Sequence, residues 1–237
     1  MEASPHDADN PAYEGPAAVG TEIMSPRYAL YFLPEPDSAL DRLGRVWLDA
    51  LPAELTAEAR VYGFHATLKA PFRLADDTTE DRLRAACAAF AAARAAIVEP
   101  PPLLALLDGF LALRPGRDSA AIDSLAADCV REFDGLRAPM SDAERARRLT
   151  AALTPRQRQL LENWGYPYVF DQYRFHITLT RRLDAAEQPT VAARLKPLAA
   201  EACAEPLAIR SLCLVRQHPG QSFTLLERFP LEDACAS

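Results

Sequence analysis

The chain has 237 residues, of which 49% are hydrophobic and 25% charged, as is ordinary for a folded globular protein. No stretch approaches the roughly 18 consecutive apolar residues of a membrane-spanning helix, and a net charge of −7 argues against a protein that grips long nucleic acid. The five cysteines are odd in number and far apart, without a Cys-x-x-Cys pair, so they exclude a disulfide framework and a cysteine zinc site and favour a cytoplasmic location.

Residues 1–24 are acidic, contain proline and lack hydrophobic periodicity, which predicts a disordered leader followed by a single domain over residues 25–237. Apolar spacing and turn residues then predict the elements in chain order: a strand at 27–34, a helix at 38–51, a strand at 64–69, a helix at 79–96, a hairpin of strands 103–107 and 110–113, a helix at 119–133, one or two helices within 141–164, a strand at 174–180, a helix at 185–201 and strands at 207–217 and 222–229. This order is typical of an α+β fold whose strands come from both halves of the chain.

An internal repeat is the most informative feature of the sequence. Residues 62–69 read YGFHATLK and residues 173–180 read YRFHITLT, with five of eight positions identical. Side chains alternate between the two faces of a strand, so His65 and Thr67 are expected on one face and the apolar residues on the other. The second copy predicts the same for His176 and Thr178. Two related halves would bring both pairs to a shared groove.

Two histidines that face each other suit the opening of a cyclic phosphodiester. One neutral imidazole can take a proton from the attacking water, while a second, protonated imidazole gives a proton to the departing oxygen. The hydroxyls of Thr67 and Thr178 can donate to the non-bridging phosphate oxygens. This chemistry needs neither a metal nor a cofactor.

Four further residues are candidates for substrate binding. Lys69 is expected on the His65 face, where it would neutralise phosphate, although a solvated edge residue is the alternative. Tyr28 on the first strand and Tyr168 in the WGYPYV segment could stack on a sugar or base, with packing as the alternative use. Arg181 follows the second repeat directly and lies in the only basic segment, residues 131–182, so it could guide a phosphorylated substrate.

The paired His-x-Thr motifs resemble the signature of the two-histidine (2H) phosphoesterases. The segments YGFHATLKAPF at 62–72, FLAL at 110–113, LRAPMSDAERARR at 136–148, WGYPYV at 164–169 and RFHITLT at 174–180 together resemble a bacterial branch associated with phosphonate-utilisation operons. The resemblance implies two ferredoxin-like or RRM-like halves around a central cleft, here with a helical insertion at about 136–169. It also implies hydrolysis of a cyclic phosphodiester without a metal.

Three functions compete on these residues. The first is a cyclic phosphodiesterase acting on a cyclic ribose phosphate or a 2′,3′-cyclic nucleotide, and the acidic charge favours such a small substrate over RNA ends. The second is a non-catalytic module of the same fold that binds nucleotides or RNA. The third, a metal hydrolase, ranks last because neither motif contains an acidic residue or a His-x-His pair. The sequence does not assign the acid and base roles to particular histidines.

Overall fold

The computed structural model of the protein describes residues 25–232, so the predicted leader lies outside the described residues. The strands are β1 (Arg27–Phe32), β2 (Ala66–Phe72), β3 (Ile97–Glu99), β4 (Leu103–Leu107), β5 (Phe110–Arg114), β6 (Ile177–Thr178), β7 (Leu207–Ile209), β8 (Ser211–Gln217) and β9 (Thr224–Pro230). The α-helices are α1 (Ala39–Ala50), α2 (Ala53–Tyr62), α3 (Glu80–Ala92), α4 (Ala120–Glu132), α5 (Asp142–Arg148), α6 (Pro155–Trp164) and α7 (Gln188–Ala199). The predicted α+β class is confirmed.

The larger sheet combines strands from the two ends of the described chain. Its order is β2-β1-β8-β9, and every neighbouring pair is antiparallel. On β1, Leu30 and Phe32 face the main hydrophobic core, whereas Ala29 and Tyr31 form a separate buried cluster on the opposite face. The alternation predicted for a strand with two distinct faces is therefore present, and β2 carries the first His-x-Thr motif to the edge of this sheet.

A second sheet, of order β4-β5-β6, carries the other motif. The predicted hairpin is confirmed: Asp108 and Gly109 join β4 and β5 with φ values of 46° and 91°, as a tight two-residue turn requires. The strand expected at 174–180 is shorter, since β6 spans two residues. Beyond β6 the Leu179 N–H still donates to the Leu111 carbonyl at 2.9 Å, and the hydroxyl oxygen of Thr180 accepts a hydrogen bond from the Leu111 backbone N–H at 3.0 Å.

The strand predicted at 207–217 is divided in two. Residues of β7 pair with β3, whereas residues of β8 pair with β1, so the chain changes sheets at Arg210 between them. The sequence predicts one strand because apolar residues lie on both sides of Arg210 and Ser211, and both pieces are buried. The short strand β3 and the helix α2 were not among the predicted elements.

Several helix starts agree with the sequence pattern, because a side chain there accepts a hydrogen bond from the first turn. Ser38, Thr79 and Ser119 cap α1, α3 and α4 in this way. In the insertion, Thr154 caps α6 reciprocally with Gln157, and proline occupies the first helical turn. The insertion predicted at about 136–169 thus consists mainly of α5 and α6.

One hydrophobic core extends through both halves of the chain. The Phe32 ring lies 5.6 Å from the Phe175 ring, and the buried Trp47 indole donates to the Leu179 carbonyl at 2.8 Å. Both contacts tie the segment of the second motif to elements of the first half. Among residues 25–232, no helix has both the length and the apolar character needed to cross a membrane.

Candidate active site

His65 is oriented by the turn that ends α2. Gly63 follows this helix with a φ of 76°, a conformation that favours glycine, and its carbonyl oxygen lies 3.0 Å from Nδ1 of His65. Because a carbonyl only accepts, Nδ1 carries the proton and donates. The neutral ring therefore has Nε2 as its unprotonated, basic nitrogen.

His176 repeats this arrangement with a different backbone around it. Its Nδ1 donates to the Arg174 carbonyl oxygen, again two residues earlier, at 2.7 Å. The Phe110 ring, at 5.6 Å between centroids, packs beside the imidazole. Both histidines thus have the same tautomer in their neutral forms, with Nε2 directed away from the backbone.

The two threonines differ in their surroundings. The Thr67 hydroxyl lies 3.3 Å from Nε2 of His65 and donates to it, since that nitrogen is the acceptor of the neutral ring. Thr178 pairs with Ala112 across β5 and β6 and is half-buried. All four motif residues are half-buried. Thr67 and Thr178 lie on β2 and β6, and each histidine directly precedes its strand. Their catalytic roles stay predictions.

Burial favours the neutral form of both imidazoles. Burial lowers the pKa of His65 to about 4, against a weaker raising effect of the Gly63 carbonyl, and the charge of His176 lowers it further. Burial also lowers the pKa of His176, with a smaller lowering effect from Arg114. The influence of His176 on His65 means that the two rings lie within electrostatic reach of each other.

An aromatic wall lies against His65. Tyr31 stacks on the imidazole with 4.0 Å between centroids, and Tyr62 lies 6.1 Å away on a nearly parallel plane. Tyr31 is not among the four substrate-binding candidates that the sequence indicated. Strand alternation could have identified Tyr31 as a residue of the site. Tyr31 pairs with Thr67 in the register of β1 and β2, so the two side chains share a face.

Two other residues near the site were missed. The Tyr173 hydroxyl donates to the Thr67 carbonyl at 3.0 Å, so the second copy of the repeat is bonded directly to the first. Arg114 ends β5 beside His176, and its Nε is buried without a hydrogen-bond partner in the described part of the chain. The hairpin pattern alone does not reveal which strand β5 will pair with.

The expectation that Lys69 shares the His65 face is wrong. A β-bulge lies between the pairs Tyr31–Thr67 and Leu30–Lys69, and it reverses the alternation of β2. Lys69 is consequently buried, with Nζ 3.1 Å from the Val130 carbonyl and 3.8 Å from Asp134. Burial lowers the pKa of Lys69 to about 8, against the raising effect of Asp134.

Tyr28 also lies away from the histidine face. It belongs to the main core, and its hydroxyl donates to Glu80 at 3.0 Å. The register of β1 explains this position, since Tyr28 is an odd number of residues from Tyr31. The structure therefore separates Tyr28 from the site, and Tyr31 occupies the position that stacks on His65.

The remaining two candidates lie near the second motif. Tyr168 is half-buried, packs edge to face on Tyr166 at 5.7 Å, and has its pKa raised by burial and then by Asp108. Arg181 forms a two-pronged ion pair with Glu187, at 2.9 and 3.0 Å. A role for Arg181 in substrate binding would require this ion pair to open.

Residues 25–232 contain no group of three or more His, Cys, Asp or Glu side chains arranged to hold a metal ion. The chemistry available at the site is that of imidazole Nε2 atoms, hydroxyl donors and a nearby guanidinium. Such groups can transfer protons and stabilise negative charge on oxygen.

The described residues define an α+β protein with two His-x-Thr motifs whose imidazoles are held in the same orientation. Within that class, the chain belongs to the family described as "Protein of unknown function (DUF1045)", which matches residues 67–224.

Curated relatives are longer than this chain. Ribose 1,5-bisphosphate phosphokinase PhnN of Janthinobacterium sp. (strain Marseille) is 42% identical over 90% of the chain and 52% of the relative. The protein of the same name from Laribacter hongkongensis (strain HLHK9) is 38% identical over 71% of the chain and 43% of the relative. The chain therefore spans about half the length of the curated relatives it matches.

Solved structures show a more distant likeness. E. coli LigT complexed with 3′-AMP has a TM-score of 0.45 and 13% identity, over 88% of this chain and 99% of LigT. TT0787 of Thermus thermophilus has a TM-score of 0.46 and 15% identity, over 87% of this chain and 98% of that protein.

Proposed function

We propose that the protein is a metal-independent phosphoesterase that opens a small cyclic phosphodiester by acid–base catalysis between His65 and His176. The observation that carries this proposal is the repeated orientation of the two imidazoles, each with Nδ1 bonded to the carbonyl two residues earlier. A fixed tautomer leaves both Nε2 atoms available to substrate, which is what a base and an acid acting on one phosphorus require.

In the proposed reaction, the neutral Nε2 of one histidine takes a proton as water attacks phosphorus and a new P–O bond forms. The protonated Nε2 of the other histidine gives its proton to the sugar oxygen as the old P–O bond breaks. Thr67 turns its hydroxyl from His65 to a non-bridging oxygen, and Thr178 donates to another. These bonds stabilise the charge that grows on the phosphoryl oxygens.

The proposed substrate is a 1,2-cyclic phosphate of ribose, in phosphonate metabolism. The relatives are named for ribose 1,5-bisphosphate, and cleaving the bond from phosphorus to O2 of a 1,2-cyclic phosphate leaves a 1-phosphate of this kind. Leucine precedes both lysines of this chain, Lys69 and Lys196, so the sequence contains no G-x-x-x-x-G-K-[ST] phosphate-binding loop. This supports assigning the named kinase activity to the rest of the relatives' length.

The test is phosphorus NMR of a mixture of ribose 1,2-cyclic phosphates and 2′,3′-cyclic nucleotides, incubated with the protein and a chelator. Wild type and His218→Ala, a control at an exposed turn histidine, should consume the ribose compound. The His65→Ala and His176→Ala variants should each be slower by about 10²- to 10⁴-fold.

Consumption of the nucleotides alone would overturn the ribose substrate but keep the mechanism. Full activity in either histidine variant would overturn the mechanism. Binding without turnover by wild type would favour a non-catalytic module. Activity that is present without the chelator and absent with it would favour a metal hydrolase.

A further inference from the structure

The sheet that carries the second motif has a face turned away from the main core. On β5, Leu111 and Leu113 belong to the main core, whereas Phe110 and Ala112 belong to a separate buried cluster. Side chains alternate along a strand, so these two pairs lie on opposite faces of the sheet. The Phe110 ring lies 5.6 Å from the His176 ring, so the face opposite the main core is the one that carries the histidine.

Arg114 is the residue of β5 that follows Ala112 on this face. β5 pairs with β4 and β6 without a register shift, so the alternation holds to the end of the strand. Because Ala112 is opposite Thr178, Arg114 is the diagonal neighbour of that threonine, at a spacing of about 7 to 8 Å that a long side chain can bridge. Arg114 and His176 also adjoin the two residues of the next pair in the register. The guanidinium therefore lies within reach of both groups of the second motif, and in agreement the charge of Arg114 adds to burial in lowering the pKa of His176.

Arg114 has a hydrogen-bond donor that the protein does not use. The residue is half-buried, and its Nε is shielded from solvent without a hydrogen-bond partner in the described part of the chain. By contrast, Arg117 in the following loop pairs with Glu99 at 3.2 Å. No such ion pair holds Arg114 within residues 25–232. A buried N–H without an acceptor is unfavourable, so a bound oxygen would stabilise this side chain.

The two cations that the sequence indicated for phosphate binding are engaged elsewhere. Nζ of Lys69 donates to the Val130 carbonyl at 3.1 Å in the interior. The Arg181 guanidinium pairs with both carboxylate oxygens of Glu187, at 2.9 and 3.0 Å. The proposed reaction nevertheless places negative charge on the phosphoryl oxygens, and a guanidinium donates to such oxygens more strongly than a neutral hydroxyl does. Arg114 has the position and the available donor for this purpose.

We propose that Arg114 is a substrate-binding residue that donates to a non-bridging phosphate oxygen beside Thr178 and so stabilises the charge that grows there during the reaction. This inference rests on the proposed function and adds to it a cation for the reacting phosphate. It also makes the two sides of the site chemically different, because Tyr31 stacks on His65 at 4.0 Å, whereas a guanidinium lies at the side of His176. Loss of this guanidinium should therefore affect the phosphate and not the fold.

The first experiment compares kcat/KM for ribose 1,2-cyclic phosphate among charge variants. Arg114→Gln should lower kcat/KM by about ten- to a hundredfold, the effect of one charge-assisted hydrogen bond that strengthens in the transition state. Arg114→Lys should lose less, because lysine keeps the charge but not the planar fork. Arg117→Gln is the matched control, since its side chain is exposed and pairs with Glu99, and it should stay within about twofold of wild type. If Arg114→Gln behaves like this control, the assignment is overturned.

The second experiment separates a role on the substrate from a role in packing. Arg114→Ala should regain part of its lost activity when guanidinium ions are added at millimolar concentration, because the ion can take the place of the side chain and donate to the same oxygen. Its melting temperature should stay close to that of wild type, since the Nε of Arg114 has no partner in the described part of the chain that would lose a hydrogen bond. A lowered melting temperature without rescue by guanidinium would show that Arg114 supports the fold, and would overturn the proposal.

The third experiment measures binding of inorganic phosphate by calorimetry, which needs no turnover. Wild type and Arg117→Gln should bind phosphate alike, and Arg114→Gln should bind it about tenfold more weakly. This pattern, found without hydrolysis of cyclic phosphates, would refute the proposed reaction and keep Arg114 as a phosphate ligand. Unchanged phosphate affinity in Arg114→Gln, or no affinity in wild type, would overturn the role of Arg114, while hydrolysis that depends on His65 and His176 would keep the proposed reaction.

Discussion

The low pKa of His65 makes a prediction about stability that needs no substrate. Histidine has an ordinary pKa of 6.5, and burial lowers that of His65 to about 4 in the folded protein. At pH values between these two pKa values, His65 binds a proton in the unfolded chain but not in the folded protein. The free energy of unfolding contributed by this group is therefore fully present above pH 6.5, falls as the pH drops, and is lost by about pH 4.

The size of the effect follows from the same two values. A difference of one pKa unit corresponds to about 1.4 kcal/mol, which would give roughly 3 kcal/mol for a fully buried ring. Because the His65 ring is half-buried, solvent screening reduces the expected contribution to roughly 1 to 2 kcal/mol. Replacing His65 with Gln removes the titrating group and should remove this part of the pH dependence.

The assay is urea unfolding of wild type and His65→Gln at intervals between pH 4.5 and 7.5. The stability of the variant relative to wild type should rise by roughly 1 to 2 kcal/mol as the pH falls across this range. His218→Gln, at an exposed turn, is the control and should follow the wild-type curve. If the curves of His65→Gln and wild type run parallel, burial does not hold His65 in its neutral form and the reasoning is refuted.

Three further predictions concern the site and its support. Burial lowers the pKa of both histidines proposed for catalysis, so kcat/KM for the proposed cyclic substrate should be greatest below pH 6.5. It should fall toward pH 8 as the required imidazolium is lost, and initial rates that stay constant over this range would contradict the proposed pair. Tyr173→Phe removes the 3.0 Å hydrogen bond to the Thr67 carbonyl. It should lower the free energy of unfolding by about 1 kcal/mol and the melting temperature in calorimetry by about 2 to 4 °C. An unchanged melting temperature would show that the bond contributes nothing. Lys69→Met leaves the Val130 carbonyl unpaired and should lower the free energy of unfolding in urea by about 1 to 3 kcal/mol, while kcat/KM stays within about twofold. A large loss of activity at unchanged stability would show that Lys69 acts in the site.

The sequence predicted best those features that depend on neighbouring residues. Helix caps and the Asp108-Gly109 hairpin follow from local spacing, and the structure confirms both. The His-x-Thr spacing also brings the Thr67 hydroxyl to His65, while the roles of the motif residues stay predictions. The placement of Lys69 failed because a bulge depends on the register between two strands, which one strand's pattern does not contain.

The other omissions have a related cause. The bond from Tyr173 to Thr67 joins residues 106 positions apart, and the aromatic wall of Tyr31 depends on which strand lies beside β2. Long-range packing thus completes a site whose central residues are visible in a local motif.

The order β2-β1-β8-β9 has a consequence for how the protein is made. The first two strands belong to the beginning of the described chain and the last two to its end. The larger sheet can close only after residues 211–230 have left the ribosome, so β1, which pairs with β2, lacks its second neighbour through most of synthesis. A truncation before β8 would leave that hydrogen-bonding edge of β1 open and the first His-x-Thr motif on an incomplete sheet, whereas the β4-β5-β6 sheet of the second motif needs no strand beyond residue 178.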